Sequence, residues 1–162
     1  MPVGPYDQDA LIWSEQQADL LRRLAPGERA NDAVDRANVI EEVQDVGQSQ
    51  LRSCQGLLRQ AMLPLLKLHA WPASQAAGHW REEASTLLDD AALYFAPSMR
   101  QRIDLAALYA KALRQAASAT DESGPALHLP NACPFPLDAL LSGEVPELVE
   151  AVKAGPSEAE LS

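Results

Sequence analysis

Three features of this 162-residue sequence predict an all-α fold. A seam of apolar and small residues, Ile40, Val43, Gly47, Leu51, Cys54, Leu58, Ala61, Leu65 and Leu68, recurs at steps of three or four, which a helix gathers onto one face. No run alternates Val, Ile or Thr with polar residues, as a half-buried strand would. Pro26-Gly27 and Trp71-Pro72 punctuate long stretches of helical period. Together they predict a single-domain helical bundle over residues 1–155: four main helices, a long kinked second helix, a C-terminal arm carrying short helices, then a disordered tail over 156–162.

In chain order, Asp7 is the expected N-cap of a first helix that reaches Leu24 and turns Ala10, Trp13, Leu20, Leu21 and Leu24 to one side. Pro26-Gly27 ends it, and Asn31 or Asp32 caps the second helix, expected from about 32 to 69 and roughly 55 Å long at 1.5 Å per residue. On its buried stripe Gly47 costs up to about 1 kcal/mol relative to Ala, so close approach by a neighbouring backbone is expected there. Pro64 removes a helical donor and is expected to kink the helix, since Leu65 and Leu68 keep the phase. Ser74 caps a third helix with Ala77, Trp80, Ala84, Leu87, Leu88 and Ala91 inward. Ser98-Met99-Arg100-Gln101 fits a capping box opening a fourth helix to about Ala119, with Ile103, Ala106, Ala110, Leu113 and Ala117 on its seam. Beyond Thr120, Pro and Gly mark an irregular arm anchored by Leu127, Leu129 and Phe135. Short helices are expected over Leu137–Ser142 and from Pro146 to Gly155.

With 47% hydrophobic residues, a chain of this length carries a real core. The formal charge of −10 opposes direct nucleic-acid or anionic-lipid binding, which needs Lys and Arg to displace counterions, and favours basic partners. The N-terminal residues Met1 to Tyr6 lack a basic segment followed by an apolar run, so no signal peptide is expected. No apolar run approaches the roughly 18 residues of a membrane helix. Cys54 and Cys133 form no metal-ligand spacing, and a reduced, cytoplasmic chain without disulfides is expected.

Opposite the seam, the second helix carries Asn38, Glu41, Glu42, Asp45 and Arg52. Glu41 and Asp45 stand at i, i+4, a like-charge pair that costs roughly 0.2–0.5 kcal/mol on an isolated helix. A cation from another helix, a metal ion or solvent counterions would offset that cost. A helical metal centre commonly pairs Glu with His three residues on, and no His follows Glu41, Glu42 or Asp45 at that step. His69, His79 and His128 also lack partners at helical ligand spacing. An oxygen-rich set of this kind would favour Mg²⁺, Mn²⁺ or Ca²⁺ over Zn²⁺. Cys54 falls on the seam as a small hydrophobe, and Cys133 with His128 has no helical geometry behind it. No phosphate-cradling Gly-rich loop or nucleotide fingerprint is present, and no cofactor is expected. Trp13 and Trp80 fall on inward faces, where aromatics are core before they are ligand walls, and Trp71, at a turn, is expected to be partly exposed.

Trp13 with Glu15-Gln16, Asn38-x-x-Glu41-Glu42-x-x-Asp45-x-Gly47, Leu65-Leu66-Lys67, Trp80-Arg81, Pro97-Ser98-Met99-Arg100 and Cys133-Pro134-Phe135 with Leu137 and Leu140 come in a fixed order. In that order and spacing, over about residues 5 to 142, the sequence resembles the family catalogued as domain of unknown function 29. The resemblance implies a small bacterial all-helical protein with no established activity. It departs from the family at Gln44, usually Glu, at Leu68, usually aromatic, and in a longer Asp89–Phe95 segment. The polar residues shared with the family are Asn38, Glu41, Glu42, Asp45, Lys67 and Arg81. Their first reading is architectural, with Arg81 or Lys67 pairing a carboxylate across helices and fixing register. The sharper reading is a ligand site in which Trp13 and Trp80 wall a pocket over Glu41 and Arg81, for a small charged or planar ligand. Two functions follow: a noncatalytic cytoplasmic interaction or accessory protein, with a protein partner or self-association, or a ligand-binding protein or metal-dependent enzyme using the Asn38–Asp45 face with Arg81.

Overall fold

The structure, a computed structural model, describes residues 4–24 and 36–155. Its helices are α1 (Pro5–Gln8), α2 (Ala10–Arg23), α3 (Arg36–Ala70), α4 (Ala77–Tyr94), α5 (Leu105–Ala117), α6 (Leu137–Ser142) and α7 (Val145–Ala154), with a 3₁₀ turn, Pro97–Gln101, before α5. Among the described residues there is no strand, and the fold is all-α as expected. The expected stop at Pro26-Gly27, the caps Asn31 and Asp32, and the tail from Pro156 lie outside the described residues. The chain divides into two compact units, one drawn from Met1–Ser53 and Tyr94–Arg102, the other from Cys54–Leu93 and Ile103–Ser162.

In the first unit the expected first helix is split in two, and its long part, α2, starts later than Asp7. Pro5 opens the single turn of α1, where Asp7 accepts from the Gly4 amide at 3.1 Å. Asp9, extended at φ −156°, breaks the chain and caps α2 by accepting from the Ile12 amide at 3.0 Å. The buried side of α2 is accordingly Ala10, Leu11, Ser14 and Ala18, while Leu20 and Leu24 point outward and Trp13 is half-buried. Gly47 explains the rotated face: a Cβ there would sit 2.7 Å from Leu11 Cα and 2.9 Å from its Cδ1, and would also strike the Ser14 hydroxyl. The close backbone approach expected at Gly47 is present.

α3 continues through Pro64 without a restart. Its seam is buried from Gly47 through Leu68, with Ile40 and Val43 half-buried. Past Leu58 the buried face widens to include Met62, Leu66 and Ala70, which belong to the second unit. There α4 buries Ala77, Trp80, Ala84, Leu88 and Ala91 as expected, and Ser74 accepts from the Ala76 amide.

The Ser98 capping box does not form. Pro97 opens a 3₁₀ turn, and Asp104 caps α5 by accepting from the Ala107 amide at 3.0 Å. The buried residues of α5 are Tyr109, Ala112 and Ala116, so the seam expected through Ala106, Ala110 and Ala117 is out of phase. Tyr109 sets the phase, its ring edge-on to Phe135 at 6.1 Å and its hydroxyl donating to Pro130 O at 2.5 Å. The arm is tied down further where Leu127 N–H donates to Ala70 O at 2.9 Å, although the Leu127 side chain, an expected anchor, stays exposed. α6 and α7 end at Gly143 and Gly155, both at positive φ.

Candidate functional site

In the first unit, Asn38, Glu41, Glu42 and Asp45 are all exposed on α3. The cation that α2 brings to this stretch is Arg22, which donates to Gln44 Oε1 at 2.6 Å and to Asp19 Oδ1 at 3.0 Å. It therefore holds a neutral amide, and among the described residues it forms no ion pair with a carboxylate of α3. Among the described residues Glu41, Glu42 and Asp45 form no ion pair, and no three His, Cys, Asp or Glu side chains gather as metal ligands. Trp13 is covered on one edge by Tyr6, with ring centroids 5.0 Å apart at 83°.

Lys67, Trp80 and Arg81 belong to the second unit. Lys67 Nζ stands 5.7 Å from the Trp80 ring centroid, within reach of a cation–π attraction. Trp80 leans on Trp71 at 6.3 Å. Trp71 is not partly exposed: it is 4% accessible, because its indole N–H finds Gly124 O at 2.9 Å and so loses nothing on burial. Lys67, Trp71 and Trp80 thus form a packed plug.

Arg81, one residue on, faces outward, and among the described residues it makes no ion pair. It borders two hollows. One, about 260 Å³, has mainly apolar walls from Leu68, Pro72, Leu127 and Val149. The other, about 550 Å³, runs toward Ser85 and Thr86, and Val145 and Pro146 at the start of α7 border both. His69 lines the smaller hollow with its Nε2–H given to His128 O at 3.0 Å. Its Nδ1 is enclosed without a hydrogen-bond partner among the described residues.

Two polar pairings in the first unit escape sequence reasoning. The Asp9 carboxylate accepts from the Ser98 amide at 3.0 Å and its hydroxyl at 2.9 Å, and Glu15 takes both arms of the Arg102 fork at 2.6 and 2.9 Å. Burial raises the Asp9 pKa, but hydrogen bonds from Ile12, Ser98 and Leu11 outweigh it, and the net value lies below the ordinary 3.8. Glu15 and Ser98 fall in the motifs that carry the family resemblance, whereas Asp9 and Arg102 fall in none of them. The thiol of Cys54 donates to Ala91 O at 3.5 Å, and burial pushes it up to about 11, leaving little thiolate at neutral pH.

A family model described as Domain of unknown function DUF29 matches residues 5–145. Among solved structures, an alpha-helical protein of unknown function from Rhodospirillum rubrum is similar, with 28% sequence identity and a TM-score of 0.83. The match covers 94% of this chain and 99% of that one. No curated protein matches significantly.

Proposed function

This chain belongs to the DUF29 family, and on that premise we propose that it is a noncatalytic cytoplasmic interaction or accessory protein whose binding face lies on α2 and α3 of the first unit. The observation that supports this is outward-facing apolar area: Leu20 is 54% exposed, Leu24 48%, Val39 41% and Val46 37%. Leu20 and Leu24 are i, i+4 on the end of α2, and Val39 and Val46 are i, i+7 on α3, so each pair forms a stripe. Glu42 shares the α3 stripe, and Glu41 and Asp45 add negative charge on the same helix, whereas Asp19 on α2 is paired with Arg22. Apolar anchors beside carboxylates suit a protein surface with its own apolar centre and a rim of Lys and Arg. A second copy would bring like charges together, so a basic partner is favoured over self-association. None of the described helices is long and apolar enough to cross a membrane.

The test is a photo-crosslinking residue at Val46 in cells, with one at Arg52 as a control on another face of α3, and sedimentation of the purified protein alone. A discrete heterologous adduct from position 46, lost when Val39 is changed to Asp and weakened by salt, is the expected result. Adducts of equal intensity from both positions, or none, would overturn it.

A further inference from the structure

The Arg81 cleft is independent of that face. We propose that the second unit binds a small organic monocarboxylate there, its carboxylate on the Arg81 guanidinium and its apolar body in the 260 Å³ hollow. Charge is the first ground. The protein carries −10 overall, yet this hollow gathers two cations, Arg81 and Lys153, against one carboxylate, Glu150. Lys153 is engaged by Glu150 at 2.7 Å, so Arg81 is this hollow's cation without an ion pair among the described residues, with the Glu82 and Glu144 carboxylates lining the hollow on its other side. A guanidinium fork is built to take a carboxylate through two parallel N–H···O bonds.

Shape is the second ground. The walls beside Arg81 are hydrocarbon: Leu68, Pro72, Leu127, Val145 and Val149. At about 260 Å³ the hollow falls just below the roughly 300–1,000 Å³ of drug-sized ligand sites, which suits a small ligand. The exposed Leu127 side chain, which the arm holds by its backbone instead of burying, finds a use as part of this wall. Arg81 alone matches a monoanion, whereas a phosphate dianion would need a second free cation and would meet Glu150. On the other side of Arg81, Ser85 and Thr86 offer hydroxyls to a neutral polar substituent, and Glu82 and Glu144 there oppose a second anionic group.

Calorimetric titration of the full chain with phenylacetate and hexanoate, against phenylacetamide, hexanamide and inorganic phosphate, tests the proposal. Both carboxylates should bind at about millimolar Kd or tighter, and the neutral amides at least about tenfold more weakly. Arg81→Gln should weaken carboxylate binding by about ten- to hundredfold, and Arg81→Lys, which keeps charge but loses the fork, by less. Val149→Trp, which fills the hollow, should abolish binding of both. These side chains are exposed or half-buried, and a helical circular dichroism spectrum and unchanged melting verify folding of each variant. The proposal is overturned by amides that bind as tightly as their acids, by Arg81→Gln binding like wild type, by phosphate outcompeting the carboxylates, or by no binding of either acid.

Discussion

Gly47 and Asp9 are the residues on which the first unit most plainly turns. At Gly47 a methyl group would gain up to about 1 kcal/mol of helix propensity but collide with the Leu11 backbone, and such overpacking costs about 1–3 kcal/mol. Gly47→Ala should therefore lower the denaturant midpoint, with a net loss of up to about 2 kcal/mol; a higher midpoint would show that α2 yields freely. Asp9→Ala removes both the cap of α2 and the tie to Ser98, and should cost about 1–2 kcal/mol at neutral pH. The sign of its pH dependence follows from the depressed carboxyl: its contribution is full above 3.8 and disappears as pH falls through the lower folded value. Chemical unfolding of wild type and Asp9→Ala should thus give midpoints whose gap narrows as pH falls below the ordinary 3.8 and through the lower folded value, and a gap independent of pH would refute the assignment.

Among the elements, α3 and α4 were legible because their large apolar residues repeat over several turns, and a one-residue error of phase would have exposed Leu58, Leu65 or Leu88. α6 and α7 were legible from their Pro starts and Gly ends. α5 was not, because Ala106, Ala107, Ala110, Ala112, Ala116 and Ala117 offer almost no contrast between faces, and a shifted seam scores as well as the true one. What settled it was Tyr109, whose partners Pro130 and Phe135 lie in the arm. Tyr109→Phe keeps the ring but leaves Pro130 O without its donor, and should cost about 1–2 kcal/mol. Limited proteolysis should then cut within residues 120–134 faster than in wild type; equal rates would mean the hydroxyl does not hold the arm. The Arg81 cleft was illegible for a related reason, since its walls come from the end of α3, the arm and α7, which no single window of sequence shows together. The Asn38–Asp45 face was easy to nominate because its residues are neighbours on one helix.

For the molecule as a whole, 23 acidic against 13 basic residues produce a self-repulsion that salt screens. Raising NaCl from about 20 to about 200 mM should raise the melting temperature by about 1–3 °C, and the protein should pass through heparin unretained. A fall in melting temperature would place the balance with attractive pairs such as Glu15–Arg102. That pair and Asp9–Ser98 have one more consequence, which concerns birth more than equilibrium. Their members are 87 and 89 residues apart, and a ribosome adding about 5–20 residues per second takes roughly 4–18 s to travel from one to the other. Within that interval α2 is completed, while Ser98 and Arg102 have not been translated. The nascent chain waits with its N-terminal contacts half made, open to chaperones, and a stop codon anywhere before residue 98 leaves both ties unformed.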